Sequence, residues 1–237
     1  MEPGEYALMD AAEDHMWWYR ALHRRLIDAL AGVRDPVLDA GCGTGGFLAR
    51  LRTERPELRS VGVEWSEQAA VRASAKSGAS VVRGSLNALP FADASFGACI
   101  SADVLCHQAV DPPSALAELR RVLRPGGRLV VNMPAYTWLV SAHDRSVHNV
   151  RRCTTQQLCV MLHEAAFMGV RAWYWNGLLL PLMIAQRKLL KWRAATSDVA
   201  SFPPWLDATF HAMTECERRL PFPLPAGGSV MASAERP

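Results

Sequence analysis

The residues from Val37 to Gly45, reading VLDAGCGTG, concentrate the chemical information in this chain. A short apolar run ends in Asp39, and glycines follow at Gly41, Gly43 and Gly45. This pattern places a buried strand before a bare loop that opens a helix. Glycine lets the backbone turn sharply there and lets a bulky ligand lie almost against it. The helix start beyond presents N–H groups with no partner inside the helix. Asp39 stands two residues before the first glycine, so its carboxylate is expected to face whatever the loop holds. Gly41, Gly43 and Gly46 also satisfy G-x-G-x-x-G, and Glu64 follows about 20 residues on, where a dinucleotide site carries a ribose-binding acid. A pyrophosphate beside Asp39 is repelled, whereas a nucleoside bearing an ammonium or sulfonium is attracted. That charge preference weighs against a nicotinamide dehydrogenase.

The elements that must hold this loop show in the spacing of apolar residues. Trp18, Leu22, Leu26 and Leu30 recur every four residues and predict an amphipathic helix over residues 16–31. Val37 to Asp39 ends a first strand, and Phe47, Leu48 and Leu51 give the next helix an inward face. Ser60 to Glu64 reads as a second strand, Glu67 to Ser77 as a helix, Ser80 to Arg83 as a third strand and Ala98 to Ser101 as a fourth. Asp111-Pro112 is a helix start, with the aspartate as N-cap and proline in the first turn. Pro125-Gly126-Gly127 stops that helix before a fifth strand at Arg128 to Met133. Five alternations of strand and helix predict a doubly wound, mostly parallel α/β sheet. Beyond Pro134 the rhythm changes. Thr154 caps a helix reaching Phe167, Val170 to Trp175 suits another strand, a helix covers Leu206 to Leu220, and Ser229 to Ala234 suits a last strand.

At 237 residues, half of them hydrophobic, the chain can bury a sizeable core. The net charge of +3 is weak and scattered, so no basic face of the kind a nucleic-acid binder needs is expected. Six cysteines lack C-x-x-C spacing, and several lie in apolar runs, which suits reduced thiols in a cytoplasmic protein and argues against a metal site. Cys42, inside the glycine loop, reads as a packing residue. The N-terminus is acidic and shows no signal-peptide pattern. Between residues 177 and 192 an apolar run, GLLLPLMI, meets a basic flank. It is too short to span a bilayer, which takes about 20 residues. A buried or substrate-covering helix is the expectation, with a membrane-surface helix as the alternative.

Asp39-x-Gly41-x-Gly43-x-Gly45 resembles motif I of the class I S-adenosylmethionine-dependent methyltransferases, a ligand with both cationic groups and no phosphate. The likeness extends over residues 35–133. Glu64 matches the acid that accepts both ribose hydroxyls in this family, and Trp65 would lie along the adenine face. GSLNALPFAD, from Gly84 to Asp93, resembles the element whose acid holds the adenine amino group, but here Ser85 stands in that position, leaving Ser85, Asn87 or the backbone of Leu86 to substitute. FGACISADVLCH, from Phe96 to His107, resembles the fourth-strand region, which implies that Ser101 and Ala102 border the methionine portion of the cofactor. RVLRPGGRL, from Arg121 to Leu129, resembles the turn into the fifth strand. The fold implied is a seven-stranded Rossmann-like sandwich, with residues 1–32 as an N-terminal helical lid and residues 33–237 as the cofactor-binding domain. That domain would carry a substrate-covering insertion at about 134–228.

The flanks should choose the substrate. His15, Trp17, Trp18 and Tyr19 crowd the N-terminal segment, and Tyr136, Trp138 and then His143-Asp144 follow the fifth strand. Both stretches resemble a subgroup of these enzymes that act on small molecules. His143 beside Asp144 is a candidate general base, because histidine titrates near neutrality, and His107 lies just past the fourth strand. Arg151 and Arg152 could clamp a carboxylate or simply lie at the surface. Trp173, Tyr174 and Trp175 add aromatic faces that attract cations or pack as core. The expected activity is methyl transfer from S-adenosylmethionine to a small molecule. Two rivals share the cofactor: attack on its methionine arm with release of methylthioadenosine, and a non-catalytic cofactor-binding subunit. The sequence specifies no oligomeric state.

Overall fold

The computed structural model describes residues 3–33, 36–189 and 202–237. Seven strands form one sheet: β1 (Val37–Ala40), β2 (Ser60–Glu64), β3 (Ser80–Arg83), β4 (Phe96–Ala102), β5 (Leu123–Pro134), β6 (Met168–Trp175) and β7 (Ser229–Glu235). Their spatial order is β3-β2-β1-β4-β5-β7-β6. The pairs from β3 to β5 are parallel, and β7 runs antiparallel to both β5 and β6. The chain winds outward from β1 through β2 to β3, then returns to lay β4 on the other side of β1. The order of strands therefore reverses between β1 and β4, which opens a crevice at their carboxyl ends.

Both faces of the sheet are covered, so successive residues of a strand enter opposite cores. Val37, Ala98, Ile100 and Val130 pack with Leu22, Leu26 and Ile27 of α2 (Trp17–Ala29) and with Phe47 and Leu51 of α3 (Gly46–Glu54). Leu38, Cys99, Leu129 and Val131 pack on the other side with Leu116 and Leu119 of α5 (Pro112–Val122) and Leu158 and Leu162 of α7 (Thr155–Glu164). Leu26, Leu38, Leu116 and Leu129 are essentially without solvent exposure, and burial of each contributes about 1.5–3 kcal/mol.

Helix starts follow side-chain chemistry. Asp111 accepts from the Ser114 amide, Ser66 caps α4 (Glu67–Ser77) and Thr154 accepts from the Gln157 amide. Helix α5 ends at Val122 rather than running to the Pro-Gly-Gly turn, because Leu123 already pairs with Phe96 of β4. Two helices go beyond the pattern read in sequence: α1 (Pro3–Ala12), whose apolar residues lack clear periodicity, and α6 (Ala142–Ser146), held by a Ser141–Asp144 capping box. Helix α8 (Leu180–Leu189) takes up most of the apolar segment, and α9 (Pro204–Arg218) packs on α2. Residues 190–192 of that segment and the polar stretch up to Ser201 lie outside the described residues. Among the described residues no helix is long and apolar enough to cross a membrane. Helix α2, within the segment expected to be a lid, belongs to the core layer, since its Leu22 and Leu26 pack against the sheet.

Candidate active site

A cavity of about 760 Å³ opens at the β1–β4 crevice. Its walls come from α1 and α2, the ends of β1, β2 and β4, the loop after β3 and the segment around α6. Asp39, near the end of β1, and Gly41, just beyond it, stand at the cavity wall. Asp39 is 3% exposed. Burial, reinforced by the negative charges of Glu64 and Glu13, pushes its carboxyl up to about 8. Gly41 holds φ +88°, and an added Cβ would meet Val104 Cγ2 at 2.4 Å, so glycine is required here by conformation and by space. Gly43 also lines the cavity, beneath Met9 of α1.

Gly45 does not. At φ +92° a Cβ there would come within 2.6 Å of the Ala73 backbone, so the third glycine lets α3 approach α4 and does not face a ligand. Cys42 packs with Leu48 and Ala73. The α3 N-terminus is not open either. The Glu13 carboxylate sits against Gly46, accepts from Thr44 Oγ1 at 2.7 Å and from Lys76 Nζ at 2.7 Å, and is pushed up by burial. A carboxylate occupies the position where a phosphate would bind a helix start.

Glu64 ends β2 and is 7% exposed. Its Oε2 accepts from the Gly43 amide at 3.1 Å, and its Oε1 accepts from the Ser66 amide at 2.9 Å and the Tyr6 hydroxyl at 3.2 Å. Burial raises the carboxyl despite these donors, and the Tyr6 hydroxyl is pushed up beside it. Trp65, 68% exposed, forms the rim. Ser85 and Leu86 line the same end, where Ser85 Oγ accepts from the Asn87 amide. Asn87 bridges loops by donating to the Ala109 carbonyl and accepting from the Asp111 amide.

At the end of β4, Ala102 and the next residue, Asp103, line the cavity, but Ser101 does not. Successive strand side chains point to opposite faces, and Ser101 is buried with its Oγ lacking a hydrogen-bond partner. His107 and His143 both reach the wall. Burial lowers His107 to about 4, so its imidazole is neutral, and its Nδ1 accepts from the Ala109 amide. His143 Nδ1 lies 3.9 Å from Glu5 Oε2. Asp144 does not line the cavity. Its oxygens accept from Arg152 at 2.8, 2.9 and 3.2 Å and from the Ser141 amide at 2.7 Å, so the aspartate is engaged in a structural pair. Arg152 is consumed by the same pair and by the Ala135 carbonyl, while Arg151 donates to the His107 carbonyl.

The aromatic flanks divide. Trp18 and Tyr19 line the cavity, whereas Trp17 packs edge-on to Phe210 in a separate apolar cluster and His15 is exposed outside it. Tyr136 stacks between Trp138 and Tyr174 at 5.4 and 5.2 Å, and none of the three reaches the cavity. Residues outside the sequence reading complete the wall: Tyr6, Glu13, His23 and Asp103. His23 is driven to about 3 by burial and stays neutral. Asp103 carried a signal, namely its position immediately beyond a strand end at a predicted sheet edge. Tyr6 carried none.

Comparison with known proteins agrees with this geometry. Residues 38–131 match a family model described as a methyltransferase domain. A probable S-adenosylmethionine-dependent methyltransferase of Mycolicibacterium smegmatis is 31% identical over 169 residues, 69% of this chain and 64% of that protein. A malonyl-[acyl-carrier protein] O-methyltransferase of Erwinia pyrifoliae is 41% identical over 118 residues, 49% of this chain and 44% of that one. The chain is matched to these and the other curated relatives over 37 to 64% of their own lengths. A solved S-adenosylmethionine-dependent methyltransferase from Thermotoga maritima, a possible histamine N-methyltransferase, superposes with a TM-score of 0.63 at 19% identity. It covers 99% of this chain and 96% of that one, and the likeness is one of fold. The glycine loop, the β1–β4 crevice and the matched segment together place residues 38–131 in the class I S-adenosylmethionine-dependent methyltransferase family.

Proposed function

We propose that the protein transfers a methyl group from S-adenosylmethionine to a small molecule. The observation that carries this reading is the sign of the cavity. Glu13, Asp39, Glu64 and Asp103 stand on its wall, while the α3 N-terminus, the usual anion site, is taken by Glu13. A cationic nucleoside fits such a wall, and a dinucleotide does not. Glu64 has the position and hydrogen-bonding capacity to take ribose hydroxyls, with Trp65, Ser85 and Leu86 around the base. Gly41 and Gly43 let the ligand lie against the main chain, and Asp39 and Asp103 offset its positive groups. When bound, S-adenosylmethionine supplies a methyl carbon activated by sulfonium.

The chain's own residues bind, align and dry the site. Alignment of donor and acceptor within about 3–3.5 Å supplies much of the acceleration of such a reaction. Tyr6 and Met9 cover the glycine loop and keep water from it. His143 and a neutral His107 form the acceptor end, with Val104, Val110 and Val147 as apolar wall. Asp144 fixes the turn that carries His143 through its pair with Arg152. Helices α1 and α2 act as the N-terminal cover, and within the insertion the segment around α6 shapes the acceptor end.

Calorimetry tests the reading. S-adenosylmethionine and S-adenosylhomocysteine are expected to bind with micromolar affinity, and NADH to give no heat. Mass spectrometry after incubation with a panel of small acceptors should show S-adenosylhomocysteine appearing only when an acceptor is methylated. Release of methylthioadenosine, or heat from NADH alone, would refute it.

A further inference from the structure

Resting on that reading, we propose that Asp103 is the carboxylate that receives the acceptor's proton, so the acceptor presents an O–H or N–H group to the transferred methyl. The assignment begins with where the chain puts this side chain. Asp103 is the first residue beyond β4, on the far side of β1 from the β2 and β3 ends that carry Glu64, Ser85 and Leu86. The next residue, Val104, lies against Gly41. Asp103 therefore borders both the glycine loop and the acceptor end marked by His107 and His143. Among the described residues that line the cavity, it is the one carboxylate on the β4 side.

Its conformation is specified rather than incidental. Asp103 holds φ +54°, a left-handed backbone that costs an L-residue energy and that persists where surrounding structure enforces it. Its amide donates to the Asn132 carbonyl at 2.9 Å, and its Oδ1 accepts from Asn132 Nδ2 at 2.9 Å. Asn132 is fully buried in β5, and its Oδ1 accepts from Trp175 Nε1 at 2.7 Å. Trp175, 1% exposed, is in turn held between the Trp18 ring at 6.0 Å and the Arg25 guanidinium at 4.7 Å. Asn132 and Trp175 are thus positioning residues. They tie down Oδ1 and aim the carboxylate into the cavity.

The groups facing Asp103 leave its proton affinity in a usable range. From α2 comes the Tyr19 hydroxyl, from α6 and the strand-like segment after it Asp144 and Arg152, and from the adjoining loops the neutral thiols of Cys106 and Cys153. Burial lifts the carboxyl while Asn132 and Arg152 lower it, and the balance stands at about 7. A sulfonium brought alongside favours the ionised form. As the acceptor's lone pair bonds to the methyl carbon, the carbon–sulfur pair returns to sulfur and the acceptor's proton passes to Asp103. The positive sulfonium and the negative carboxylate become a neutral thioether and a neutral acid, so the step leaves no net charge in a poorly solvated site.

The transferred proton should be measurable without knowing the acceptor. The substrate state pairs sulfonium with an ionised Asp103, and the product state pairs thioether with a protonated one. Calorimetry in buffers of differing ionisation enthalpy reads proton release on binding. At pH 7, S-adenosylmethionine should release more protons than S-adenosylhomocysteine, by about half a proton for a group poised near that pH. Asp103→Asn should abolish the difference while still binding both ligands. If Asp103→Asn does not fold, Asn132→Ala replaces it: losing the amide donor should move the pH of the largest difference upward. A difference that survives Asp103→Asn, no difference in the unsubstituted protein, loss of both ligands in folded Asp103→Asn, or an unmoved maximum in Asn132→Ala would each overturn the assignment. If neither ligand binds the unsubstituted protein, the functional reading itself has failed.

Discussion

Replacing Asp144 by alanine separates a structural role from a chemical one. A His-Asp pair in sequence suggests a base and its orienting acid, but the Asp144 side chain is 3% exposed and bonded to Arg152, itself 6% exposed. Removing the carboxylate leaves a buried guanidinium with only the Ala135 carbonyl as acceptor, and it opens the Ser141 cap. Breaking one side of a buried, hydrogen-bonded ion pair costs about 3–5 kcal/mol. Both partners are shielded from solvent, so screening does not diminish this value much. In a chain of this size about 2–4 °C of Tm accompanies each kcal/mol, so a fall of about 6–20 °C is expected by scanning calorimetry. Combining Asp144→Ala with Arg152→Met removes both charges and should recover part of the loss, because the uncompensated guanidinium is gone. A drop below about 1 kcal/mol for the single variant, or strictly additive losses in the double variant, would refute the reasoning.

Glu64→Ala should weaken S-adenosylmethionine by about 10- to 150-fold, the equivalent of about 1.5–3 kcal/mol for hydrogen bonds to a charged acceptor, and a change under threefold in calorimetry would contradict it. Gly41→Ala should destabilise the fold and abolish ligand binding, and adding Val104→Ala should restore part of the stability by clearing the contact while the strain at φ +88° remains; full activity of the single variant would be decisive against it. The empty protein should lose stability as pH rises from about 6.5 to 8. Asp39 and Asp103 have raised folded-state values of about 8 and about 7, so the native state holds more protons than the unfolded chain across that window. Buried His23 and His107 act oppositely, but only below their ordinary value near 6.5. The expected loss is on the order of 1–2 kcal/mol, read as Tm, and Asp39→Asn should flatten the slope; a rising Tm would count against these assignments.

Much of the frame was legible in one dimension because its causes are local. Strands buried on both faces must be apolar throughout, and the helices must carry apolar stripes, so β1, β4, the core of β5 and the helices between them announced themselves, while β3, at the exposed edge, showed only as a short Val-Val run after a glycine. Asp111 and Thr154 marked helix starts because an N-cap needs only a side-chain oxygen two or three residues from an unpaired amide. Asp39, Gly41 and Glu64 reached the cavity wall because strand ends at a reversal point face the same crevice whatever the rest of the chain does. What needed the tertiary structure were meetings between distant segments. Tyr6 lies 58 residues from Glu64, and Asn132 lies 29 from Asp103. Gly45 turned out to pack on Ala73, Asp144 to pair with Arg152, and Tyr136, Trp138 and Tyr174 to stack on one another outside the cavity lining. Residue type and spacing state what a side chain is able to do, but the direction it points depends on how strands register and helices pack, and that is settled only when the whole chain closes on its core.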